Sequence, residues 1–119
     1  MYEAKHNTVL DKSKAFAARI VAMYRYLQDT KREHTMSHQV LNSGTSIGAN
    51  ISEAVNGQSR KDFLSKMNIA LKEASETEYW LTLLHNTGYL SETQYRSIHT
   101  DCIELVKLLT SIVKTTKYS

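Results

Sequence analysis

Two glycines sit inside a segment whose apolar spacing is that of a helix, and this limits the fold more than any other feature. The segment Ser37–Asn56 reads SHQVLNSGTSIGANISEAVN. Val40, Ile47, Ile51 and Val55 recur at helical spacing, with Gly44 and Gly48 in the same stripe. An interior glycine weakens a helix by about 1 kcal/mol relative to alanine. Two of them need an offset, and a second helix lying very close supplies it. The segment therefore predicts a small-residue packing helix within a helical bundle.

Three further helices have readable ends. Phe16, Ile20, Tyr24 and Leu27 make one face of a helix over roughly Asp11–Lys31. Asp11 or Ser13 can cap its start, and Lys31 and Arg32 suit its negative end. Residues 1–10 show no period and are expected to form a loose arm ahead of one domain over 11–119. Ser37 is the candidate cap of the glycine-bearing helix, and Gly57 fits the left-handed position after it. The next helix starts at Ser59, with Asp62 three residues on. Its buried face is Phe63, Met67, Ala70, Leu71, Ala74, Leu81 and Leu84, and Gly88 ends it. The last helix starts with the capping box Ser91–Gln94. It carries Tyr95, Ile98, Cys102, Leu105, Leu109 and Ile112 as a bundle seam to about Lys117. Short connections make sequential helices antiparallel neighbours. The expected fold is all-α, an up-down-up-down antiparallel four-helix bundle.

Composition agrees and bounds function. A chain of 119 residues with no proline and 4 glycines lacks the turn punctuation of a sheet-rich domain. Cys102 is the single cysteine and has no partner for an intramolecular disulfide. With no signal-like N-terminus and no membrane-length apolar run, a cytoplasmic, non-membrane protein is expected.

Catalytic or metal chemistry finds little support. Glu78 and His85 fall within the apolar wheel of the third helix, and Asn50 and Glu53 flank that of the second. Polar groups so placed must be hydrogen-bonded, in an internal network or a subunit interface that fixes register. A di-iron bundle repeats Glu-x-x-His on two helices. Here that spacing occurs only at Glu3–His6, in the expected arm. Cys102 on an apolar seam reads as a small hydrophobe. No cofactor, no metal and no enzymatic activity are expected.

Anion binding has two candidate surfaces. Arg60 and Lys61 follow Ser59 at a helix N-terminus, where they add like charge to the positive end of the dipole. Glu53 or Asp62 is the favoured internal partner, and an external phosphate is the alternative. A second basic row is Arg96, Lys107 and Lys114 on the outer wheel of the last helix, extended by Lys117. The net charge of +3 is modest for a nucleic-acid module. A protein-interaction scaffold that uses the outer positions Tyr79 and Trp80 is the competing reading.

Residues Ser43 to Ser91 carry a family resemblance. The quoted elements are Ser46-x-x-x-Asn50-Ile51-x-Glu53-Ala54, Ser59-Arg60-Lys61-Asp62-Phe63, Ile69-Ala70 with Glu76, and Gly88-Tyr89-Leu90-Ser91. They resemble a bacterial family of four-helix bundle proteins. It includes those encoded by intervening sequences within 23S ribosomal RNA genes, often labelled ribosomal protein-like. The accessory variability determinant of diversity-generating retroelements is a distant relative. The resemblance implies a ring-like homopentamer, no catalysis, and association with RNA, DNA or a nucleic-acid enzyme through a basic surface. Many members have a small serine where this chain has Glu73, and glycine at Val55 or Asn56. The sequence thus looks like a subgroup.

Overall fold

Four helices form in the computed structural model, which describes residues 2–118 and, for side chains, residues 8–118. They are α1 Tyr2–Asp29, α2 Thr35–Val55, α3 Arg60–Asn86 and α4 Glu92–Tyr118. Turns of four or five residues join them, so each runs antiparallel to the one before. Each packs on its chain neighbours, and α4 closes the bundle against α1 through its thinnest contact. The result is a rod of 45 × 21 × 19 Å.

The core is the apolar stripe of each helix. Phe16, Ile20 and Leu27 of α1 meet Val40, Ile47 and Ile51 of α2, Met67, Leu81 and Leu84 of α3, and Leu105 and Leu109 of α4. Tyr24 and Leu71, expected in the stripe, are only half-buried, and Met23 takes the inward place beside Tyr24. Gly44 and Gly48 are buried against α1, next to Ile20 and Ser13.

Several ends differ from expectation. The helix of α1 runs through the stretch expected to be a loose arm, and Val9 is already in the core. Ser13 is not a cap. It lies inside α1, donates to the Leu10 carbonyl, and supplies the small contact for Gly48. Ser37 does not cap α2 either. The buried carboxylate of Glu33 accepts from the Thr35, Met36 and Ser37 amides at 3.0, 3.0 and 2.7 Å. It thereby satisfies three donors that the helix itself cannot. Glu33 also donates its own amide to Leu27, with Arg32 in the left-handed region before it at φ 55°. This is a Schellman-like closure without glycine. Arg32 is therefore a turn residue and lies past the last turn of α1. Gly57 is not left-handed, because α2 closes through Asn56 in the bridge region and a Gly57 amide bond to Ala54.

The other caps match expectation. The Asp62 amide donates to Ser59 Oγ at 3.0 Å. Ser91 and Gln94 exchange both bonds of their capping box, at 2.9 and 3.1 Å. Gly88 is left-handed, with φ 88°.

Candidate nucleic-acid interface

Antiparallel topology decides which cations share an end. The start of α3 and the finish of α4 lie together, because the Arg60 guanidinium donates to the Thr116 carbonyl. Arg60 thus meets the negative end of a neighbouring helix rather than Glu53 or Asp62. Glu53 pairs instead with Lys66 at 3.3 Å. Lys61, Lys114 and Lys117 are all exposed near this end, with Lys117 Nζ 5.7 Å from the centre of the Tyr118 ring. The two basic features separate in the sequence therefore meet at one pole of the bundle.

The rest of the α4 row is dispersed. Arg96 stands about 27 Å up the helix from Lys114, at the opposite end, and is paired with Glu92 at 2.8 Å. That contact is the first cause holding the Glu92 carboxyl below its usual range, with His85 adding to it. Lys107 lies between, beside an open cleft of about 590 Å³ lined also by His99, Ile103 and Leu108. The structure brings Arg60, Lys61 and Lys114 to one end and leaves Arg96 apart.

Glu78 and His85 do not enter the core. The inward positions of α3 around them are Thr77, Leu81 and Leu84, and Thr77 is fully buried and donates to Ser43 Oγ at 2.9 Å. Glu78 and His85 fall at the edge of the stripe, on the α3–α4 seam. Glu78 meets His99 at 3.0 Å and His85 meets Glu92 at 2.8 Å. Tyr95 is stacked between the two imidazoles, at 4.4 and 4.8 Å, with its hydroxyl 3.0 Å from Thr82 Oγ1. His99, which stands alone in the sequence, acquires its role only through this pairing. Asn50 donates to the Ser46 carbonyl one turn back.

No group of three or more metal-ligating side chains occurs among the described residues. The side chains of Glu3 and His6 lie outside them. Cys102 is buried, donates to the Ala74 carbonyl at 3.4 Å, and burial pushes its thiol up to about 12. It is therefore held as a thiol, not as a nucleophilic thiolate. No described helix is long and apolar enough to cross a membrane.

Two lateral faces stand out. Tyr79, on the outer side of α3, is 60% exposed and set edge-on to Trp80, which is half-buried on the α2 side, with centroids 4.9 Å apart. The Trp80 indole N–H is shielded and has no acceptor. Glu76 and Glu73 lie one and two turns below, and neither is in a salt bridge among the described residues. Partial burial, then repulsion from Glu76, raises the Glu73 carboxyl above its usual value. The opposite, α1–α4 face holds an open groove of about 430 Å³, lined by Ala22, Met23, Tyr26, Leu90, Gln94 and Ile98 and walled by Arg19 and Ser97. Arg19 reaches across it to Asp101 at 2.5 Å and to Ser97 Oγ at 2.7 Å.

Comparison with known proteins is consistent with the fold. A family model described as 23S rRNA-intervening sequence protein matches residues 5–111. A solved structure, described as a protein of unknown function from the S23 ribosomal protein family of Bacteroides thetaiotaomicron, is 58% identical with a TM-score of 0.91. The match covers 92% of this chain and 98% of that one. No curated protein matches the chain.

Proposed function

The chain belongs to the family of 23S rRNA-intervening sequence proteins, and from that premise we propose a non-enzymatic, homo-oligomeric accessory protein that associates with RNA or DNA. The assembly is a pentamer, as the sequence resemblance implies. It holds phosphates through Lys61, Lys107, Lys114 and Lys117, with Arg60 fixing the geometry of the pole on which three of these lysines stand. The observation that carries this reading is the gathering of α3 N-terminal and α4 C-terminal cations at one end. A single copy, at +3, binds weakly. Repetition of the pole around an oligomer lets weak phosphate contacts add through multivalency. Binding of this kind tracks backbone charge, with little sequence preference.

The test is fluorescence anisotropy with a labelled structured RNA across a salt series. The triple variant Lys61→Gln, Lys107→Gln, Lys114→Gln is expected to lose at least about tenfold in affinity and to flatten the salt dependence. Unchanged affinity and slope would overturn the reading. The exposed aromatic and carboxylate residues of the α2–α3 face favour a second reading, a protein-interaction scaffold with no nucleic-acid ligand. A pull-down that recovers nucleic acid and no protein counts against it.

A further inference from the structure

We infer that the basic pole takes unpaired nucleic acid, the Tyr118 ring stacking on a base whose flanking phosphates rest on Lys114 and Lys117. This rests on the phosphate-binding reading above and names the class of strand that the site takes.

Tyr79 and Tyr118 are the most exposed large apolar side chains among the described residues, and their neighbours set them apart. Tyr79 stands beside Glu78 and edge-on to Trp80. Tyr118 is 77% exposed, with the Lys117 ammonium 5.7 Å from its ring centre. An acidic setting repels a phosphate chain, and a cationic one holds it. Lysines in the last turn of α4 offset the negative end of that helix, but this gives no reason for an open aromatic ring beside them. Such a ring offers a face that any base can cover, whatever the sequence.

Tyr118 also continues a line of cations. Lys107, Lys114 and Tyr118 follow one another on α4 after seven and four residues. That spacing sets them on one stripe, about 10 Å and about 6 Å apart along the axis. All three are exposed, on the side away from the buried seam of Cys102, Leu105 and Leu109. Lys107, Lys114 and Lys117 are in no salt bridge among the described residues, whereas Lys12, Lys66 and Arg96 are. Glu104 shares the cleft with Lys107, but its carboxylate is taken by Lys12 at 3.1 Å. The lysine charge along the stripe is therefore available to a phosphate chain.

The ring decides the pairing state. A duplex stacks its base faces on one another, so an exposed aromatic side chain reaches only a base that is unpaired. Lysines alone favour the duplex, whose phosphates are more densely spaced than those of a single strand. Tyr118 shifts the balance toward the single strand.

The test uses the full chain and fluorescence anisotropy at one low salt concentration with three labelled probes. They are a single-stranded RNA that cannot pair with itself, a blunt duplex of that strand with its complement, and an abasic strand with the same number of phosphates. Tyr118→Ala is expected to weaken binding of the single-stranded RNA at least about tenfold and to leave the duplex and abasic strand unchanged. Tyr118→Phe, which keeps the ring, is expected to bind all three as wild type does. Wild-type affinity of Tyr118→Ala for the single-stranded RNA, or an equal loss on all three probes, would overturn the stacking role and leave the phosphate reading standing. A wild type that binds none of the probes would overturn the phosphate reading, and this inference with it.

Discussion

Gly44 of α2 lies so close to Ile20 of α1 that a methyl group added to it would stand 2.8 Å from the isoleucine Cγ1 and 2.9 Å from its Cγ2. The glycine is what lets the two helices meet at this spacing. Its weak helix propensity is offset by the packing it permits. Gly48 is less tightly enclosed, with Ser13 Oγ at 3.1 Å as its nearest contact.

The two positions should therefore respond differently. Gly44→Ala is expected to destabilise by about 1–3 kcal/mol through overpacking against a branched side chain. That corresponds to about 4 °C in Tm for each kcal/mol in a domain of this size. Gly48→Ala gains helix propensity of about 1 kcal/mol against a milder contact and should stay near wild type. Thermal melts of both variants decide it, and an equal loss at Gly48 would contradict the account.

Glu33 ties the first turn together. Its carboxylate serves three amides of α2 while its own amide closes α1. Glu33→Ala is expected to cost about 1–2 kcal/mol, in the range of a lost helix cap. Ser37→Ala should cost less, because the Ser37 hydroxyl is not the cap. Urea unfolding midpoints compare the two, and a larger loss at Ser37 would reverse the assignment.

Two carboxylates should move stability with pH in opposite senses. Glu92 is held below its usual value, first by Arg96. Its contribution is therefore present above the unfolded value and lost as pH falls through the folded one. Glu73 is raised, first by partial burial. Its charged form therefore weakens the single copy at neutral pH, and this is relieved as pH falls through the raised value. In urea unfolding at pH 7, Glu92→Gln is expected to lower the midpoint, and Glu73→Gln to raise it. Both differences should shrink at pH 3. A Glu73→Gln loss at pH 7 would show that the carboxylate has a stabilising partner in the protomer.

Cys102 should be silent in the folded protein. Burial and its raised thiol pKa of about 12 leave little thiolate at pH 8. Reaction with a disulfide reagent is expected only at the rate of unfolding, and to become fast in denaturant. Rapid labelling of the native protein would contradict its placement on the α4 seam.

Much of the bundle was legible because its signals are local. Ser59, the Ser91–Gln94 box and Gly88 each act within a few residues of themselves, and the apolar period marks each buried face. What stayed hidden depends on neighbours far along the chain. Ser37 has the composition of a cap, yet the carboxylate four residues earlier reaches the same amides. Glu78 and His85 share a wheel sector with the core stripe, but their histidine and glutamate partners on α4 draw them to the seam. Arg60 spans 56 residues to the Thr116 carbonyl, so its tie to the α4 end was not readable from its own helix. The α1–α4 groove had no sequence signal, since it arises from two helices that pack thinly.

The most direct measurement of the central claim is light scattering behind size exclusion at low and moderate salt, with and without a structured RNA. The account predicts a particle of about five protomers that takes up RNA at low salt and releases it as salt rises. A particle of that size indifferent to RNA at both salt concentrations, or a protomer-sized species, would contradict it.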